Sequence, residues 1–87
     1  MRYKLEISQE ARQALKKLKQ QDRALLTRVE RSVEKVLENP EIGKPLRHNL
    51  KNNRRVHVGS FVLIYEIAGE SVLLVDFAHH DKIYKRI

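Results

Sequence analysis

The chain has 87 residues, a formal net charge of +7 and no cysteine. That length suits one domain, residues 1–87, with a thin core and a stability of roughly 4–13 kcal/mol, so a shallow surface site is expected rather than a large buried cavity. The missing cysteines exclude disulfides, thiolate zinc sites and a cysteine nucleophile, and the positive charge favours a polyanionic or acidic partner.

The first segment, "RYKLEI", alternates, with Tyr3, Leu5 and Ile7 on one face, and predicts a half-buried strand over residues 2–7. Its charges leave no apolar stretch of the kind a signal peptide needs, and no apolar run approaches the ~20 residues of a membrane span. A cytoplasmic protein with no membrane partner is expected.

Ser8 reads as an N-cap, with Glu10 in the first turn, where negative charge suits the helix dipole. Ala11, Ala14, Leu15 and Leu18 then recur at helical spacing over residues 9–20. After a "QQD" joint, Asp22 caps a second helix over residues 23–38, with Leu25, Val29, Val33, Val36 and Leu37 as its apolar stripe. Asn39-Pro40 ends it, because a proline biases the residue before it away from the α region. The stretch "PEIGKPLRHNLKNN" reads as a connector anchored by Leu46 and Leu50. Strands follow at residues 54–58, 61–67 and 71–79, joined by hairpin turns at Gly59-Ser60 and Ala68-Gly69-Glu70. The last two are almost continuously apolar, which calls for cover on both faces. The order β-α-α-β-β-β predicts an α+β fold: a small, mainly antiparallel sheet with a helical hairpin packed on one face. Strand order is not legible at this level.

Between Ile42 and Tyr65 there is no acidic residue, while Lys44, Arg47, Lys51, Arg54 and Arg55 fall there with His48 and His57. Such a run of cations is the usual source of nucleic-acid affinity through counterion release. With Val56 and Val58 facing the core, Arg55 and His57 share the opposite face of their strand. That pair suits gripping a phosphate and moving a proton, but taken by itself it reads first as an ordinary solvated strand face. The C-terminal "HHDKIY" raises the question of a metal site. Adjacent His79 and His80 on an extended strand would point to opposite sides, and no H-x-x-x-H pattern is present, so no metal and no cofactor are expected.

Taken together, "ENPEIGKPL", "RRVHVGSFVLIYEI" and "SVLLVDFAHHDKIY" resemble the RelE/ParE superfamily of bacterial and archaeal toxins, and the resemblance covers almost the whole chain. It implies a toxin neutralised by a cognate antitoxin. RelE-like members cut messenger RNA in the ribosomal A site without metal, and ParE-like members poison DNA gyrase. RelE-like members carry two alternating basic residues matched here by Arg55 and His57. They carry an arginine early in the next strand, where this chain has Val62. A histidine-arginine pair and a tyrosine near their end match His79, His80 and Tyr84, with histidine in the arginine's place. The resemblance thus implies a ribosome-dependent endoribonuclease acting through the substrate's 2′-hydroxyl. His57 and His80 stand as acid–base candidates, Arg55 as phosphate clamp, and Tyr84 as a base-stacking or phosphate-orienting ring. Arg47, Lys51, Arg54, Lys82 and Lys85 extend the RNA-binding surface. Arginine offers a permanent forked charge and histidine a proton, so the changes trade charge stabilisation for acid–base capacity. The alternatives are a ParE-like gyrase inhibitor and a catalytically degenerate member that only binds an antitoxin.

Overall fold

A computed structural model describes residues 2–46 and 52–86 of the chain. In chain order the elements are β1 (Lys4–Ile7), α1 (Gln9–Gln21), α2 (Arg23–Glu38), a 3-10 turn (Pro40–Ile42), β2 (Lys44–Pro45), β3 (Asn53–Val58), β4 (Phe61–Ala68), β5 (Ser71–His79) and α3 (His80–Arg86). The strands form one sheet in the order β1-β5-β4-β3-β2. β1 runs parallel to β5, and every other pairing is antiparallel. The expected α+β architecture, with a helical hairpin on one face, is the observed one.

Local chemistry accounts for most boundaries. The Ser8 hydroxyl accepts a hydrogen bond from the Ala11 N–H at 3.1 Å and donates to the Val75 carbonyl at 2.7 Å, so one cap both starts α1 and ties it to β5. The Asp22 carboxylate accepts from the Leu25 N–H at 3.0 Å and starts α2. The joint is tighter than the three-residue "QQD" link expected. α1 continues through Gln21, and Asp22 serves as its C-cap and as the N-cap of α2. Gly59 and Gly69 open the two hairpin turns at φ 62 and 60, where a side chain would be strained.

Three features depart from the sequence reading. Leu5 is 42% exposed instead of half-buried, because β1 is the outer strand of the sheet. The connector contributes β2, two residues paired with Arg54 and Arg55 of β3, too short to show a period. The C-terminal residues, left without an element beyond residue 79, form a helix, α3. Leu50, an expected anchor, lies outside the described residues.

Two apolar clusters result among the described residues. The larger, between the hairpin and the sheet, holds Ala11, Leu18, Val29, Val36, Leu37, Leu63, Tyr65, Val72, Leu74 and Phe77. The smaller lies on the other face, where Ile83 of α3 meets Leu46, Val62 and Ile64. The expectation that the last two strands are covered on both faces is met, and α3 is the second cover. A register shift between Ile64 and Tyr65 leaves Val75 without a cross-strand partner, so the facing of β5 changes partway along it.

Tyr65 locks the connector to the sheet. Its buried hydroxyl donates to the Pro40 carbonyl at 2.6 Å and accepts from the Gly43 N–H at 2.9 Å. A β-carbon at Gly43 would come within 2.9 Å of the Arg55 carbonyl and closer still to the Tyr65 hydroxyl, so this close approach needs glycine. Burial pushes the phenol pKa above its ordinary value of 10.0, against the opposing pulls of the Gly43 N–H and Arg54. A folded pKa above the unfolded one means that this contribution is complete below the ordinary phenol range and is lost as pH rises through the folded value. Tyr65→Phe leaves the Pro40 carbonyl and Gly43 N–H without their partner. It is expected to lower stability by about 1–3 kcal/mol, seen as a reduced urea midpoint at unchanged slope.

Candidate active face

The site is built on β3 and completed by α3. On β3, Arg55 lies opposite Ile64 and His57 opposite Val62, so both side chains stand on the face away from the helical hairpin, as the alternation predicts. That face is not an open solvated surface, however, because Ile64 and Val62 belong to the smaller core. His57 is exposed and Arg55 half-buried. Arg55 Nε is buried without a hydrogen-bond partner among the described residues. Val62, standing where RelE-like members carry an arginine, is fully buried.

β5 ends where the His80 N–H donates to the Ser60 carbonyl at 2.9 Å, and the chain then turns into α3. A helix of 7 residues has little stability by itself. It is held by Ile83, which is completely buried. The four-residue spacing of His80 and Tyr84 places them on one side of α3. Their rings lie 6.4 Å apart. Tyr84 is 42% exposed, and the Arg55 guanidinium carbon sits 5.7 Å from its ring centroid, a cation–π distance. Tertiary structure thus brings Arg55, Tyr84 and His80 into one continuous group. His57 stands at the same end of the sheet, across β4 from Ala78, but is not among those ring contacts.

The other expected residues divide. Lys82 and Lys85 are exposed on α3. Arg54 is partly committed to structure: one terminal nitrogen donates to the Gly43 carbonyl at 2.7 Å and to that of Glu41 at 3.2 Å. Arg47 and Lys51 lie outside the described residues.

The reading of His79 and His80 as opposed is corrected. Alternation holds only within a strand, and the backbone passes from strand to helix between these residues. Their Nδ1 atoms are 3.4 Å apart and their ring centroids 4.6 Å apart. His79 packs edge-on against Phe61 at 5.6 Å, and Phe61 stacks on Phe77 at 5.1 Å. The Asp81 carboxylate lies 3.2 Å from His80 Nδ1 and 3.7 Å from His79 Nδ1. Phe61 and Asp81 are not among the site residues expected from the sequence. The i, i+4 spacing of His80 and Tyr84 was the available signal for a helix here.

The fold is the one adopted by small α+β toxins. It superposes on a chain of the RelBE2 toxin–antitoxin complex from Mycobacterium tuberculosis with TM-score 0.75 and 28% identity, covering 91% of this chain and 99% of that one. It also superposes on the YoeB dimer structure from Staphylococcus aureus with TM-score 0.81, covering 92% and 99%; at 17% identity that likeness speaks for fold alone. Residues 5–84 match the family model described as ParE toxin of type II toxin–antitoxin system. A Methanocaldococcus jannaschii protein named "Putative toxin RelE4" is 38% identical over 97% of this chain and 93% of its own length. The chain belongs to the ParE toxin family, within the RelE/ParE superfamily of type II toxin–antitoxin toxins. No helix among the described residues is long and apolar enough to cross a membrane.

Proposed function

We propose that residues 1–87 act in the cytoplasm as a single toxin domain, a ribosome-dependent endoribonuclease held inactive by a cognate antitoxin. The observation that carries this reading is the convergence of Arg55, Tyr84 and His80 on the face opposite the helical hairpin. A cation, an aromatic ring and an imidazole are the parts needed to hold an unpaired RNA phosphodiester and move its protons.

In the proposed reaction a base removes the proton of the substrate 2′-hydroxyl, and the oxygen attacks the adjacent phosphorus. An acid then protonates the departing 5′-oxygen. His57 and His80 share these two roles, each contributing about 10²–10⁴-fold. The Arg55 guanidinium stabilises the charge that builds on the phosphoryl oxygens. A phosphate beside it would also offset the desolvation of its buried, unpartnered Nε. Tyr84 offers an exposed face for stacking a base, the usual grip on single-stranded RNA. Lys82 and Lys85 on α3, with Arg54, Arg47 and Lys51, supply the field that draws in the backbone. An antitoxin partner is supported by the RelBE2 complex, in which a chain similar to this one is held in a toxin–antitoxin assembly.

The experiment is cleavage of message on programmed ribosomes by the purified toxin, with and without the product of the neighbouring reading frame. Specific cuts that the partner abolishes support the reading; intact message refutes it. Two observations favour a second reading: the matching family model is that of ParE toxins, and Val62 and His80 stand where RelE-like members keep guanidinium groups. A ParE-like inhibitor would leave message intact and block DNA gyrase in a supercoiling assay.

A further inference from the structure

We propose that His79, His80 and Asp81 form a binding site for a transition-metal ion of the zinc class, which holds His80 away from RNA when occupied. One donor atom from each residue lies within 4.8 Å of the others. The two Nδ1 atoms are 3.4 Å apart, and the Asp81 oxygens lie 3.2 Å from His80 Nδ1 and 3.7 Å from His79 Nδ1. Ligands at about 2.0–2.1 Å from a tetrahedral ion are separated by about 3.3 Å, so the donors already stand near coordination distance. The strand-to-helix turn between residues 79 and 80 makes this possible, since two histidines within one strand would diverge.

The chemistry selects the ion. Two imidazoles and one carboxylate suit zinc, copper or nickel rather than magnesium or calcium, which prefer oxygen ligands. Positive neighbours, Lys82, Lys85 and Arg55, oppose any cation, so retention depends on the nitrogen donors and not on local charge. Three protein ligands leave a fourth position open to water. Occupation displaces the Asp81 N–H from His79 Nδ1, a contact of 3.3 Å at the long end of hydrogen bonding. The Phe61 ring against His79 limits how far that imidazole can swing. The site stands independently of the nuclease reading. Its consequence, inhibition of cleavage that a chelator reverses, rests on that reading.

The test is titration of the metal-free full-length protein with zinc chloride, followed by calorimetry and by the histidine ring signals in NMR. One zinc per chain is expected, with the His79 and His80 signals moving together and those of His57 unmoved. His80→Ala, Asp81→Asn and His79→Phe, the last retaining a ring against Phe61, should each weaken binding about tenfold or more. His57→Ala should retain the wild-type affinity for zinc. Absence of saturable binding below about 0.1 mM overturns the site. So does affinity unchanged in His80→Ala and His79→Phe. Zinc bound at these residues without slowing message cleavage by an active toxin overturns the inhibitory role.

Discussion

His80→Ala is expected to slow message cleavage on programmed ribosomes by about 10²–10⁴-fold, and His57→Ala by a comparable factor. Both variants should remain folded. The two histidines are outside the apolar clusters, and the His80 backbone bond to Ser60 does not require the side chain. His80→Arg is the more telling replacement, because it restores the guanidinium found at that position in RelE-like relatives while removing the imidazole proposed to pass protons. If His80 transfers a proton here, arginine fails to rescue. If it serves only as a charge, arginine restores or raises the rate. Undiminished cleavage in both His57→Ala and His80→Ala refutes their assignment. Tyr84→Phe keeps the ring that faces Arg55, so a stacking role predicts near-normal cleavage, whereas Tyr84→Ala should weaken substrate binding. Stacking is worth about 1–3 kcal/mol per base.

Ile83→Ala has the largest expected effect on the fold relative to its distance from the chemistry. The side chain is fully buried against Leu46, Val62 and Ile64, and truncating a buried isoleucine costs about 2–5 kcal/mol. Much of the chain's total stability, roughly 4–13 kcal/mol for this length, would be at stake if the loss were felt globally. α3 can instead detach locally, which caps the cost at the free energy of opening this one helix. Hydrogen exchange separates the outcomes: faster exchange confined to residues 80–86, with protection in β4 and β5 retained, marks local release. Either way His80 and Tyr84 lose their placement, and cleavage should fall without any change to the groups that perform it. A fully active Ile83→Ala variant would show that α3 does not position the site.

The legibility of this chain differs by element. α1 and α2 were readable because apolar spacing and caps agree: Ser8 and Asp22 cap as expected, and Asn39-Pro40 ends α2. β4 and β5 were readable from long apolar runs that each follow a glycine turn, at Gly59 and Gly69. β2 was not, since two residues carry no period, and Pro45 argues for a connector. The parallel pairing of β1 with β5 depends on residues more than 60 positions apart and leaves no local trace. α3 is hard to read because seven residues are too few to show an apolar stripe, and the i, i+4 spacing of His80 and Tyr84 gains weight only once Ile83 is seen to be buried.

The sequence by itself determined the composition of the candidate face, a basic strand and an imidazole-rich end, together with α1, α2, the longer strands and the family to which the chain belongs. Residue type and local period carry that information. Which of those residues meet was decided by tertiary structure alone. The second apolar cluster pulls α3 onto the sheet, sets Tyr84 beneath Arg55 and His80 beside Tyr84, and turns His79 and His80 toward each other. Such contacts follow from burial across distant segments, which no local pattern encodes.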